Sequence, residues 1–319
     1  MSDFPKFVEF HEEGMREGFQ IEPQIYPIEE RVELIDALSE TGLKHIQVGS
    51  FVNPKKVPTM ADTPALFSRI NKKPGVQYTG LWLNESGFRR ALDTPGIDLK
   101  GDLFFYASEG LARSNNNLSF DEMMTAQERW LDLYIENNID IDSAGFMCCF
   151  GCNIDGDIPM SRVLQLIDFT DQLCKSRGVP LPTLLIADTM GWANPEQVKQ
   201  RIGAIREKYP DARLSMHIHD TRGLGVANVY AALEMGVDRF DSSIAGLGGC
   251  PFAGHKDHKA AGNVCTEDSV FLCHELGIET GIDLDKLIEA SQMAEKIIGR
   301  YLNGKVMHSG SLSHFRATA

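Results

Sequence analysis

The segment Met216-His217-Ile218-His219-Asp220-Thr221 sets two imidazoles two residues apart in a run of strand-forming character. On a β-strand, residues i and i+2 face the same side. His217 and His219 are therefore expected to point into one pocket, where they would make a natural pair of ligands for a divalent ion. The alternative is a pair of core histidines satisfied by hydrogen bonds. A second signal, Arg16-Glu17-Gly18-Phe19-Gln20, follows the first expected strand directly. It offers a carboxylate and a guanidinium whose fork pairs with oxygen anions, although an Arg-Glu pair taken alone reads as a surface ion pair. The glycine-dense stretch Gly246–Gly254 carries Cys250 at its centre. A thiol there is a candidate general acid or nucleophile on a mobile lid, set against an ordinary loop cysteine. Asn263, in Gly262-Asn263-Val264 at the start of a helical stretch, offers an oxygen to a metal or else caps a turn. Asp188, in Ala187-Asp188-Thr189-Met190-Gly191-Trp192, is placed to contact substrate or else to cap the next helix.

Two further motifs point away from chemistry. Cys148-Cys149-Phe150-Gly151-Cys152 has no second cysteine pair at zinc-finger spacing, which leaves core packing as its expected role. The glycines after Ala245 are not followed by the Lys-Ser/Thr of a phosphate-binding loop.

These residues need elements to position them. Short β-branched or aromatic runs predict strands at Phe7–Glu12, His45–Phe51, Gln77–Leu83, Asp102–Ala107, Asp142–Phe150, Thr183–Ala187, Leu214–His219 and Phe240–Ala245. Helical spacing predicts helices at Ile28–Thr41, stopping at Gly42, and at Phe120–Asn137, Met160–Gly178, Pro195–Tyr209 and Leu224–Gly236. Pro195 suits a first helical turn capped by Asn194. Eight strands alternating with helices imply parallel crossovers and a (β/α)8 TIM barrel as one catalytic domain over 1–319; the competing architecture is a doubly wound open sheet. Further helices are expected at about 277–304, with 305–319 as a loose tail. In a barrel the active site lies at the carboxyl ends of the strands. Strands one and seven would be separated by strand eight alone, so Glu17 is expected to approach the two histidines.

Composition bounds the partners. The chain has 319 residues, 43% of them hydrophobic, and a net charge of −14. That charge argues against nucleic acid, whose phosphates need Lys and Arg. An anionic substrate would need locally gathered cations, from a metal, Arg, Lys or His. Seven cysteines, an odd number in apolar stretches, fit a reducing compartment. The opening Met-Ser-Asp-Phe-Pro-Lys has no signal-peptide core, and no apolar run reaches the roughly 18 residues of a membrane span. The expected location is the cytoplasm.

Taken together the motifs resemble the hydroxymethylglutaryl-CoA lyase family, within the barrel superfamily of metal-dependent lyases and condensing enzymes. The likeness runs from about Phe7 to Gly304. It rests on REGFQ at 16–20, SFVNPKKVPTM at 50–60, SEGLARSNNN at 108–117, FGCNIDG at 150–156, ADTMG at 187–191, HIHDTRGLG at 217–225, GLGGCPFA at 246–253 and GNVCTEDSV at 262–270. The resemblance implies Glu17, His217, His219 and Asn263 as ligands of Mg2+ or Mn2+. It implies Arg16 as the enolate-stabilising arginine, Cys250 as the lid cysteine and Asp188 as a substrate contact. Gln20, Gln47 and Lys256 join Arg16 as expected substrate-binding residues. The implied chemistry is a retro-Claisen cleavage of an acyl-CoA: a tertiary hydroxyl loses its proton, a ketone forms, and an enolate leaves to be protonated, with Cys250 as candidate acid. A homodimer is implied as well.

Four departures from the family pattern fall at this site. Glu17 stands where the family has Asp, Gln47 where it has an acidic residue, and Pro23 where a lysine is usual. The stretch after Cys250 is longer and basic, with His255, Lys256, Asp257, His258 and Lys259. These changes open a second reading, a relative acting on a different hydroxy- or oxo-acid. A third is a non-catalytic metal-binding barrel.

Overall fold

The computed structural model describes residues 4–249 and 261–317. Strand and helix alternate along nearly the whole chain: β1 (Glu9–Glu12), α1 (Ile28–Ser39), β2 (His45–Ser50), α2 (Thr63–Arg69), β3 (Gln77–Leu81), α3 (Glu85–Leu92), β4 (Gly101–Tyr106), α4 (Glu109–Asn116), α5 (Phe120–Glu136), β5 (Ile141–Met147), α6 (Met160–Arg177), β6 (Thr183–Asp188), α7 (Pro195–Lys208), β7 (Leu214–Ile218), α8 (Gly225–Glu234), β8 (Arg239–Ser242), α9 (Thr266–Glu275) and α10 (Leu284–Ile298). This is the element order of a (β/α)8 chain, because each parallel neighbour must be reached by a crossover helix.

The chain forms two compact units, with the boundary inside β8. One comprises 4–5 and Lys100–Phe240. In it β4, β5, β6 and β7 pair in sequence, all parallel, with Leu103 opposite Ala144, Ala144 opposite Leu184, and Ala187 opposite His217. Its core stacks Phe105 on Phe146 at 5.4 Å, with Phe169 of α6 edge-on at 6.1 Å. Helix ends follow local chemistry. Ser119 and Glu122 form a capping box on α5, Asn194 and Gln197 form another on α7 with Pro195 in its first turn, and Gly178 (φ 68°) closes α6.

The other unit comprises Lys6–Leu99, Asp241–Gly249 and 261–317. Here β1 pairs with β2 and β2 with β3, again parallel, with His11 opposite His45 and His45 opposite Gln77. Every residue of β2 is buried, and Leu34, Ile35 and Leu38 of α1 are fully buried. At about 1.5–3 kcal/mol for each such side chain, packing outweighs capping, worth about 1 kcal/mol each. Helix α10 packs against α1 and is capped by Asp283, which accepts from the amides of Asp285 and Lys286.

Several element ends differ from the sequence expectation for identifiable reasons. Helix α1 stops at Ser39, short of Thr41, because the Ser39 and Thr41 hydroxyls bond back to the carbonyls of Ile35 and Leu38. Strand β5 ends at Met147, short of Phe150, since Cys148 turns left-handed (φ 59°). Strand β8 ends at Ser242 and gives way to a single 3-10 turn in which Ala245 has φ 56°. Helices α2, α3 and α4 were not foreseen; they are 7–8 residues long, too short for a clear period. The tail is also more ordered than a loose segment. Val306–Ser309 and Ser313–Ala317 are helical. Asp268 accepts from the amides of Lys305 and Val306, and Arg316 pairs with Glu275 at 2.7 Å. Among the described residues no helix is long and apolar enough to cross a membrane.

Candidate metal centre and active site

In the unit that holds β7, strand alternation does what the spacing predicts. His217 lies in β7 and His219 one residue beyond it, and their Nε2 atoms face each other at 3.1 Å. Both side chains are buried. Two ring nitrogens at this distance repel through their lone pairs unless a proton or a cation lies between them. Adjacent ligands at right angles on an ion with bonds of about 2.1 Å are about 3.0 Å apart, so the spacing fits a shared cation. At the end of β6, Asp188 is buried. Its Oδ1 accepts from the Trp192 amide at 2.7 Å and its Oδ2 from the Ala193 amide at 3.1 Å. It thus organises the turn before α7 and does not cap that helix, whose cap is Asn194. A carboxylate has about four lone-pair directions, so these two bonds leave acceptor capacity. Burial pushes its pKa up to about 6, against the lowering effect of the two amides, Arg222 and His217.

The unit that holds β1 gathers charge. After β1 the chain makes a π-helical turn, Gly14–Gly18, a form found often at functional sites. Glycine is required at both ends. A Cβ on Gly14 would come within 2.6 Å of Glu12 Oε1, and one on Gly18 within 2.6 Å of the Leu247 Cβ. The turn folds Glu13 back over Arg16. Arg16 donates through Nε to Gln47 Oε1 and through Nη2 to Glu13 Oε2, and its Nη1 lies 3.2 Å from Glu17 Oε2. Burial opposes the guanidinium charge, but Glu13, Glu17 and Asp241 more than offset it, and the Arg16 pKa is raised. Around that one cation stand three carboxylates, a formal excess of two negative charges.

The same turn rests on a buried carboxylate. Glu12 Oε1 accepts from the amides of Gly14 (2.7 Å) and Ile244 (2.9 Å), and Oε2 accepts from the Thr266 hydroxyl (2.5 Å). Burial pushes its pKa up to about 7. Nearby Glu267 accepts from the Ala245 amide, and burial together with Asp268 pushes its pKa up to about 8.

The structure sorts the expected site residues. Arg16, Glu17, Gln47 and Asn263 come together, since Asn263 Nδ2 donates to Glu17 Oε2 at 3.3 Å. Asn263 lies two residues before the cap of α9, a position held by Cys265. Its Oδ1 is buried and has no hydrogen-bond partner among the described residues. Such an oxygen costs about 1–3 kcal/mol unless an ion or water fills the place. Gln20 faces the end of β2, where Ser50 donates to its Oε1 at 2.7 Å. Cys250 and Lys256 lie outside the described residues. Sequence reading missed Glu13 and Asp241. The one signal for Glu13 was the adjacent pair Glu12-Glu13 at a strand end, and nothing in it forecast the turn. Facing imidazole nitrogens in one unit, and an orphaned amide oxygen beside excess carboxylate in the other, are each donors of the kind a divalent cation takes.

Comparison with known proteins agrees. The HMGL-like family model matches residues 7–294. The cytoplasmic 3-hydroxy-3-methylglutaryl-CoA lyase of Mus musculus is 34% identical, over 95% of this chain and 84% of that protein. The mitochondrial hydroxymethylglutaryl-CoA lyase of Gallus gallus is 36% identical, over 95% and 97%. The solved structure of an HMG-CoA lyase from Acinetobacter baumannii, in complex with coenzyme A and 3-methylmalate, has a TM-score of 0.86. Its sequence identity is 33%, and the match covers 98% of each chain. The fold is the (β/α)8 barrel of these enzymes. The chain belongs to the HMGL-like family.

Proposed function

We propose that the protein is a divalent-metal-dependent carbon–carbon lyase that cleaves 3-hydroxy-3-methylglutaryl-CoA, or a close relative, to acetyl-CoA and a keto acid. The facing Nε2 atoms of His217 and His219 carry this reading, in a chain 36% identical to a hydroxymethylglutaryl-CoA lyase. His217 and His219 would supply nitrogen ligands, Glu17 and Asn263 oxygen ligands. A bound Mg2+ or Mn2+ would polarise the substrate oxygens and lower the pKa of the reacting hydroxyl.

The chain's own residues do the rest. Arg16, held by Glu13 and Gln47, presents a fixed positive charge to the enolate that leaves when the carbon–carbon bond breaks. Asp188, with a pKa of about 6, offers a carboxylate that is mostly ionised at neutral pH and suited to contact a reacting hydroxyl. Cys250 is the proposed acid that protonates the enolate carbon. Gln20, Gln47 and Lys256 complete the substrate contacts, with Lys256 placed to meet an anionic group of the acyl-CoA. Residues 1–319 act as one catalytic domain, in a homodimer located in the cytoplasm. The six described cysteines, all buried thiols, support a reducing compartment.

A second reading has the same chemistry act on a different hydroxy- or oxo-acid. Its support is that Arg16 meets neutral Gln47 and the longer Glu17 side chain. One incubation decides between them. Purified protein is given hydroxymethylglutaryl-CoA with Mn2+ or Mg2+, with and without EDTA, and acetyl-CoA and acetoacetate are followed by mass spectrometry. Metal-dependent release of both products is the expected result. No release from folded, metal-loaded protein would overturn the first reading in favour of the second.

A further inference from the structure

We propose that Glu13 is a positioning residue that sets the orientation of Arg16 and supplies its counter-charge during the reaction. The proposal rests on the reading of Arg16 as the group that meets the developing anion. Three side chains engage Arg16, each through a different nitrogen: Gln47 at Nε, Glu13 at Nη2 and Glu17 at Nη1. Gln47 is neutral and gives direction without charge. Glu17 is the proposed metal ligand, so its charge is shared with the cation. Glu13 is the third direct partner, and it sets a second carboxylate beside the guanidinium.

Its place in the chain makes the hold tighter. The Glu13 carbonyl accepts from the amides of Arg16 (3.0 Å) and Glu17 (2.7 Å), while its carboxylate grips the Arg16 side chain. One residue therefore fixes Arg16 through main chain and side chain together. With Nε pinned by Gln47 and Nη2 by Glu13, the guanidinium plane cannot turn about its long axis. Arginine has five N–H donors, and these three partners leave two directions for substrate oxygens. Glu13 is buried and the Arg16 side chain is 14% exposed, so little water competes for the pairing.

Glu13→Gln removes the charge and keeps the shape, and Glu13→Gln/Gln47→Glu returns a carboxylate to Arg16 from the β2 side. Two readouts are used: steady-state cleavage of hydroxymethylglutaryl-CoA, and the 15N-resolved Arg16 Nε–H signal, assigned by its loss in Arg16→Lys. The expected result for Glu13→Gln is a kcat lower by roughly 100-fold with KM changed by less than about threefold. Mn2+ binding should be retained, and Arg16 Nε–H exchange with solvent should speed up. The double variant should regain at least about tenfold in kcat and slow the exchange again. A kcat within about twofold of wild type, with unchanged exchange, would overturn the proposal. So would a Glu13→Gln protein that unfolds and is not rescued by Gln47→Glu, since that marks a purely structural residue. If wild-type protein cleaves nothing, the lyase reading falls, and the Arg16 exchange rates still decide the role of Glu13.

Discussion

The histidine-bearing unit and the arginine-bearing unit place functional groups by different means. His217 and His219 stand on a regular strand, where a period of two fixes which way each ring points. Arg16 and Glu17 stand in a π-helical turn between two glycines, where no sequence period applies. The first arrangement needs a straight backbone. The second needs a buried carboxylate beneath the turn, a neutral amide on β2 and a carboxylate folded back three residues. The difference follows from charge. Neutral imidazoles can be buried by packing, whereas a buried guanidinium must bring its counter-charges with it. The strand unit therefore supplies imidazole nitrogens, and the turn unit supplies carboxylate and amide oxygens set around one fixed positive charge.

The largest effects should come from breaking either half. Arg16→Gln should cut kcat by roughly 100- to 1000-fold, because a charge aimed at the developing enolate is lost, while Mn2+ affinity measured by calorimetry stays close to wild type. His217→Ala or His219→Ala should do the reverse at the level of binding. Each should lower Mn2+ affinity by at least about 100-fold and abolish turnover, with circular dichroism unchanged. If Arg16→Gln abolished metal binding as well, a role for Arg16 separate from that of the metal ligands would be wrong.

A middle-sized effect should appear in stability against pH, and in the turn-bearing unit. Glu12 and Glu267 have pKa values raised by burial to about 7 and about 8. The native state keeps protons that the unfolded chain has already released above its ordinary glutamate pKa of about 4.3. Stability from this source is therefore complete at low pH and falls as pH rises toward about 8. Glu267→Gln should flatten the decline of Tm between about pH 5 and about pH 8, as read by thermal denaturation. An equally steep decline in the variant would show that Glu267 does not set it.

The smallest effect tests the helix-end chemistry of the histidine-bearing unit. Ser119→Ala removes one half of the α5 capping box and should cost about 1 kcal/mol in urea unfolding, with kcat unchanged.

Much of the fold was legible in the sequence. The strands appeared as short β-branched runs, and the longer helices by their apolar period and caps, as at Asn194-Pro195 and Gly178. Helices α2, α3 and α4 escaped because two turns contain too few residues to show a period. At the site, the histidine pair could be proposed as ligands because its chemistry is local, whereas Asn263 taken alone read as a cap or turn residue, and the residue-by-residue resemblance supplied it and Glu17 as candidate donors. Glu13 could not be named, since its partner is chosen by a turn that no propensity encodes.

The sequence by itself determined the alternation of strand and helix, the family, the facing of His217 and His219, and the residue types available at the strand ends. Only the tertiary structure decided which carboxylate grips Arg16, that Gln47 meets its Nε, that Asp188 spends two bonds on its own turn, and that the Asn263 oxygen is buried without a partner among the described residues. The reason is physical. Periodicity and propensity act within a few residues along the chain, whereas desolvation and charge pairing are set by whatever neighbours the fold brings up, such as Glu12 and Thr266, which are 254 positions apart.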